Sequence, residues 1–237
     1  MHQWDIRATR DLVLRQGGRA QLQLASPPLR SMIDRQEYAA FHYFEIKSLF
    51  ADFVKTQLQD QSLLEAVFFG DDEVNDKHNR FHIQVGAHAL GCIQSLHALA
   101  DIAAHAVYFS LSLNKAANPL PEQGVGFRSV LKLLEQDTAL LAVTNKLAAL
   151  EGGQFLQLTA LANHGKHRSI VRVGLSEDQT GIATQKHELR FPSFEYKGIS
   201  YYETEVVSFL QCEFDRINHA IVDLGVSIHE SLVAREA

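Results

Sequence analysis

The sequence predicts a mainly α protein, a helical bundle of about six helices with a small β-hairpin insert before the C-terminal helix. Three observations carry this reading. Residues 80–113 are apolar on nearly every side, through Ile93, Leu96, Leu99, Ile102, Ala103, Val107 and Leu111. A helix of that kind belongs in the middle of a bundle. Val207, Leu210, Phe214, Ile217, Ile221, Leu224 and Ile228 recur at alternating spacings of three and four, a narrow seam on a long amphipathic helix. Between these segments the period changes. Val171, Val173 and Leu175 alternate, Leu189 and Phe191 alternate, and a Lys197-Gly198 turn separates the β-formers of Phe194 to Tyr201.

The remaining elements follow in order. Residues 1–30 fit no single pattern and end at Pro27-Pro28, a punctuation mark. Residues 31–237 are expected to form a single helical domain with its β insert at about 169–201. From Ser31, Ile46, Leu49, Phe50, Phe53 and Val54 recur at helical spacing, and a short helix fits Ser62 to Phe69. Gly70-Asp71-Asp72 is expected to open a charged loop running to about Asn79. Asn114 to Gly126, with Pro119 and Pro121, reads as a loop. Phe127 to Leu150 carries one long or two short helices, with Asp137 placed to cap the second. Gly152-Gly153 stops this region, and the next helix runs from Gln154 to about His167. The C-terminal seam is expected to pack on the chain's own bundle, with a homodimer as the other use of such a stripe.

Composition bounds the function. In 237 residues, 46% hydrophobic and 21% charged, there is enough apolar material for a sizeable core. A formal charge of −6 argues against coating nucleic acid with the whole surface and leaves room for a local basic patch. Cys92 and Cys212 lie in apolar helical patterns with no Cys-x-x-Cys pair, which fits reduced, buried thiols and a cytoplasmic location. No apolar run reaches membrane-span length, and the nearest, Ala98 to Leu113, is broken by Asp101 and His105. No membrane association is expected.

Several familiar chemistries are missing. There is no Glu-x-x-His pair, His-Glu-x-x-His, P-loop, Gly-x-Ser-x-Gly or dinucleotide fingerprint, and Gly124-Val-Gly126 follows a helix instead of a strand. No cofactor is expected. The 12 histidines make metal binding worth weighing. His97-x-x-x-Asp101-x-x-x-His105 places an acid between two imidazoles on one helix face, with Gln94 near the same stripe. It reads either as half of a metal site or as a polar stripe that satisfies itself. His219 and Asp223 add ligands only if the last helix packs alongside. The second feature is Asn163-His-Gly-Lys166-His167-Arg168, where helix gives way to strand. From Asn163 to Arg172 three cations and two histidines occur with no acid. This is either a phosphate or RNA site, with Lys166, Arg168 and Arg172 on phosphates, or a helix C-terminus dressed with cations.

The Asn163-x-x-Lys166-His167-Arg168 run, ending one helix and leading into a short strand, resembles uncharacterised bacterial proteins with a HEPN-like helical domain. Ser95 to Ala103 is similar in flavour, and as an order of helices the resemblance spans about residues 35–235. It implies a helical bundle, often dimeric, that binds RNA and in many members cleaves it without metal. Carried onto this chain, His167 is the general base, Asn163 orients, and Lys166 stands in for a catalytic cation. Active members carry an Arg separated from the His by four to six residues. Here those positions are Ala162, Leu161 and Ala160, so cleavage is expected to be weak or absent. Two other readings stand beside this one: a non-catalytic protein-interaction module, and a metal-dependent helical enzyme on His97, Asp101 and His105.

Overall fold

A computed structural model describes residues 4–58, 62–65 and 71–236. The protein is mainly helical, with 73% of residues in helix and a small antiparallel β region before the C-terminal helix. Six α-helices are described: α1 (Ile6–Gln57), α2 (Asp72–Ser110), α3 (Phe127–Leu134), α4 (Leu141–Ala148), α5 (Phe155–His167) and α6 (Val206–Ala234). Between α5 and α6 lie β1 (Gly174–Glu177), β2 (His187–Phe191), β3 (Phe194–Tyr196), β4 (Ile199–Tyr201) and β5 (Thr204–Glu205). Among the described residues, no helix is long and apolar enough to cross a membrane.

Residues 6–30, which fit no single sequence pattern, are helical. Gly18 interrupts α1 with φ 78° and ψ −179°, a backbone conformation that glycine adopts at little cost. Pro27 and Pro28 lie inside the helix beyond that kink. They remove the bonds to the carbonyls of Gln23 and Leu24, and both of those residues face solvent, where water can serve them. Burial holds the segment in place: Ala25, Leu29 and Met32 are fully buried.

From Asp72 onward the expected charged loop is instead the start of α2, and Gly70 lies outside the described residues. The Asp71 carboxylate accepts from the Val74 amide at 3.0 Å, which makes it the N-cap. Asp72 and Glu73 occupy the first turn, where acids favour the helix dipole, and Lys77 pairs with Glu73 at 2.8 Å. Acids that read as a solvated loop are therefore a helix start. The Ser62 to Phe69 helix lies largely outside the described residues. Within them, Leu63 to Glu65 is helical, and the Ser62 hydroxyl accepts from the Glu65 amide at 3.1 Å. Asp137 caps as expected, accepting from the Ala139 amide at 2.9 Å just before α4.

The chain divides into two compact units. One comprises Met1–Glu37, Leu96–Phe155 and Phe214–Ala237; the other comprises Tyr38–Ser95 and Leu156–Glu213. In the first, Ile217, Ile221, Leu224 and Ile228 of the C-terminal seam are buried to 1% exposure or less, so this seam lies in the chain's own core. Trp4 packs so close to Gly225 that a Cβ there would lie 2.1 Å from its ring, and its indole N–H donates to the Thr9 hydroxyl at 2.9 Å.

In the second unit, Ile46, Val85, Cys92, Leu158, Ala162, Leu189 and Leu210 form the core. Burial pushes the Cys92 thiol up to about 12, whereas Cys212 is exposed, contrary to the expectation that both thiols are buried. The sheet is antiparallel in the order β1-β2-β5, with Leu175 opposite Leu189 and Glu177 opposite His187. Both side chains of the last pair are almost fully buried. Burial raises the Glu177 carboxyl, but Lys186 at 2.9 Å and the Leu63 amide outweigh it, and the net shift is downward. The β3–β4 hairpin stands between β2 and β5.

Candidate functional site

The basic turn and the β3–β4 hairpin meet in the second unit. α5 continues through Gly165 to His167, and glycine at 165 suits the close approach of Leu90, whose Cδ1 would lie 3.2 Å from a Cβ there. The helix closes on the His164 carbonyl, which accepts from the amides of Arg168 at 2.9 Å and Ser169 at 3.0 Å. The His164 ring contacts the Ser169 carbonyl and meets Phe194 and Tyr196 edge-on, with centroids 5.9 and 6.2 Å apart.

The hairpin turns at Lys197-Gly198 with φ 52° and 76°, both positive as a tight two-residue hairpin turn requires. Its register sets Phe194 opposite Tyr201 and Tyr196 opposite Ile199, so these four side chains share one face. Phe194 and Tyr201 stack at 4.9 Å and 15°. Arg168 and Lys197 both lie against the Tyr196 ring, at 5.2 and 5.4 Å from its centroid. An aromatic surface carrying two cations results, with Tyr202, 83% exposed, directly after β4.

Each residue of the basic run now has a place. Lys166, His167, Arg168 and Arg172 are exposed, and Asn163, one turn before His167, is half-buried. Arg168 alone of the run reaches the hairpin aromatics through a cation–ring contact. Ala160, Leu161 and Ala162, where the HEPN-like pattern would place Arg, are all 3% exposed or less. A guanidinium at any of them would be buried in an apolar core, which is strongly unfavourable without a partner. The hairpin's part in the site was missed in the sequence, although its turn and its four β-formers were visible.

The His97–Asp101–His105 stripe lies in the first unit and serves other ends. Asp101 accepts from the Phe127 amide at 2.9 Å and so secures the first turn of α3. The His105 ring donates to the Asp101 carbonyl at 2.9 Å, and His97 stacks on Phe155 with centroids 6.0 Å apart. His219 donates to the Asp215 carbonyl at 2.6 Å, and Asp223 pairs with Lys146 at 2.6 Å. Among the described residues, no three His, Cys, Asp or Glu side chains are gathered as metal ligands would be.

Fold and site together define a mainly helical protein with exposed cations against half-buried aromatics on a small hairpin. No family model, curated protein or solved structure matches this chain.

Proposed function

We propose that this protein binds single-stranded RNA through the end of α5 and the β3–β4 hairpin, as a HEPN-like RNA-binding protein with weak or absent ribonuclease activity. The observation that carries the reading is Tyr196 with Arg168 and Lys197 on its ring. Single strands are held where cations neutralise phosphates and aromatic faces receive unstacked bases. Single-strand binding is drawn from this chemistry, and RNA in particular from the HEPN-like run at Asn163, Lys166, His167 and Arg168. Cleavage also needs a cation on the developing phosphorane charge, and the buried Ala160–Ala162 segment offers none.

Fluorescence anisotropy with a labelled single-stranded RNA tests this. Lys166, Arg168, Arg172 and Lys197 can together neutralise about four phosphates, giving a slope of log affinity against log salt of about −3. Arg168→Ala should flatten that slope by about 0.7. Tyr196→Ala should weaken binding by about 1–3 kcal/mol if a base stacks there, or roughly 5- to 150-fold. His167→Ala should leave binding largely intact and abolish any residual cleavage. An absence of binding at low salt, or binding indifferent to both Tyr196→Ala and Arg168→Ala, refutes the proposal. Vigorous metal-independent cleavage by the wild type refutes the non-catalytic part.

One observation favours the protein-interaction reading instead. Tyr38, Phe41 and Phe44 follow one another at spacings of three along α1 and are 55%, 56% and 61% exposed. An exposed aromatic stripe of this kind suits a protein partner. Loss of partner capture on Phe41→Ser, with RNA binding absent, would place this reading ahead.

A further inference from the structure

His78-Asn-Arg-Phe-His82 sets two imidazoles one turn apart on α2, and the structure turns them toward each other. The Nε2 atoms lie 3.2 Å apart, with ring centroids at 4.4 Å and planes crossing at 68°. The sequence signal is a His-x-x-x-His pair, the spacing that puts two rings on one helix face. Phe53 lies against the His78 ring with centroids 5.8 Å apart and stacks on Phe81 at 4.0 Å, so an apolar wall backs one side of the pair.

Both rings are half-buried, and burial is the main cause holding each below the ordinary histidine range. The charge of His82 lowers His78 further, while a hydrogen bond to the Val173 backbone opposes the shift at His82. Two neutral imidazoles facing one another can share one N–H···N bond. They can also hold a metal between them.

The distance suits a divalent transition metal. Two imidazole nitrogens on zinc at about 2.0–2.1 Å and a tetrahedral angle lie about 3.3–3.4 Å apart. A right-angled pair on copper or nickel at similar bond lengths lies about 2.9 Å apart. The observed 3.2 Å falls between these values, so either geometry needs only a few tenths of an ångström of ring movement. Two neutral imidazoles with their protons on Nδ1 offer both Nε2 lone pairs to a metal, so they bind it without net proton release.

We propose that His78 and His82 form a bidentate site for a divalent transition-metal ion, zinc or copper, whose other coordination positions stay open to water or an incoming ligand. The site is separate from the RNA-binding proposal, and each can fail without the other.

Calorimetric titration of the full chain with zinc, and separately with copper, tests the site. The expected result is one equivalent bound in the micromolar range or tighter, weakened at least tenfold in His78→Gln and again in His82→Gln. His42→Gln should leave it unchanged, because the other facing pair, His42 and His88 with Nδ1 atoms 3.0 Å apart, is not the site proposed. Unmodified protein supplies a check independent of variant folding: substoichiometric copper should broaden the ring resonances of His78 and His82 before those of His42 and His88. Micromolar binding retained in the His78→Gln/His82→Gln double variant overturns the proposal. So does loss of binding in His42→Gln, broadening that begins at His42 and His88, or an absence of binding by the wild type.

Discussion

Replacing Asp101 by Ala removes the carboxylate that accepts from the Phe127 amide at 2.9 Å in the first turn of α3. That amide is one of the donors a helix start cannot satisfy internally, and the carboxylate also lies at the positive end of the helix dipole. Removing such an acceptor costs about 0.5–2 kcal/mol, and the exposure of Asp101 argues for the middle of that range, about 1 kcal/mol. In a protein of this size about 1 kcal/mol lowers the melting temperature by roughly 2–4 °C. Asp101→Asn keeps an acceptor oxygen and loses the charge, so its shift should be about half as large. Thermal unfolding followed by circular dichroism, with chelator and without, is the assay. An unchanged melting temperature in Asp101→Ala would refute the capping role. A wild-type melting temperature that falls with chelator and recovers with zinc, together with loss of that response in Asp101→Ala, would restore the metal reading of His97, Asp101 and His105.

Two further outcomes are expected. His42, His78 and His82 are all held below the ordinary histidine value of about 6.5, each chiefly by burial, so below about pH 6.5 the unfolded chain takes up protons that the folded chain resists. Stability should therefore fall as the pH drops through 6.5 and level off once the folded rings are protonated. The slope per histidine should lie well under the limit of about 1.4 kcal/mol per pH unit, because the rings are partly exposed and screened. Denaturation midpoints that are flat from pH 7.5 to 5 would contradict this. Gly225→Ala should destabilise the protein by about 1–3 kcal/mol in urea, because the new methyl group would lie 2.1 Å from a Trp4 ring atom, and an unchanged midpoint would show that the ring moves aside freely.

Local signals are legible in the sequence, whereas long-range partnerships are not. The period of Val207 to Ile228 identified α6, and the Lys197-Gly198 turn identified the hairpin, because both are written in neighbouring residues. The start of α2 was misplaced because Asp71, Asp72 and Glu73 serve a solvated loop and a helix first turn equally well. Pro27 and Pro28 concealed a helix whose persistence rests on the burial of Leu29 and Met32. At the site, the excess of cations from Lys166 to Arg172 was legible as composition. The contact of Arg168 with Tyr196, 28 positions later, is a tertiary fact that no local pattern contains. Helical spacing places Asp101 on its own helix face, while its partner amide comes from α3.

Trp4 is the chain's one tryptophan, and its ring rests on Gly225 with the indole nitrogen tied to Thr9. Trp4, Thr9 and Gly225 all belong to the unit that contains both ends of the sequence. Indole emission under selective excitation is thus a natural optical probe of that unit, with no label to attach. Far-UV circular dichroism sums helices from both units. If the two signals change at one denaturant concentration, the units unfold as a single cooperative system. If emission shifts first, the contacts around Trp4 open while the helices of the unit carrying the hairpin remain formed.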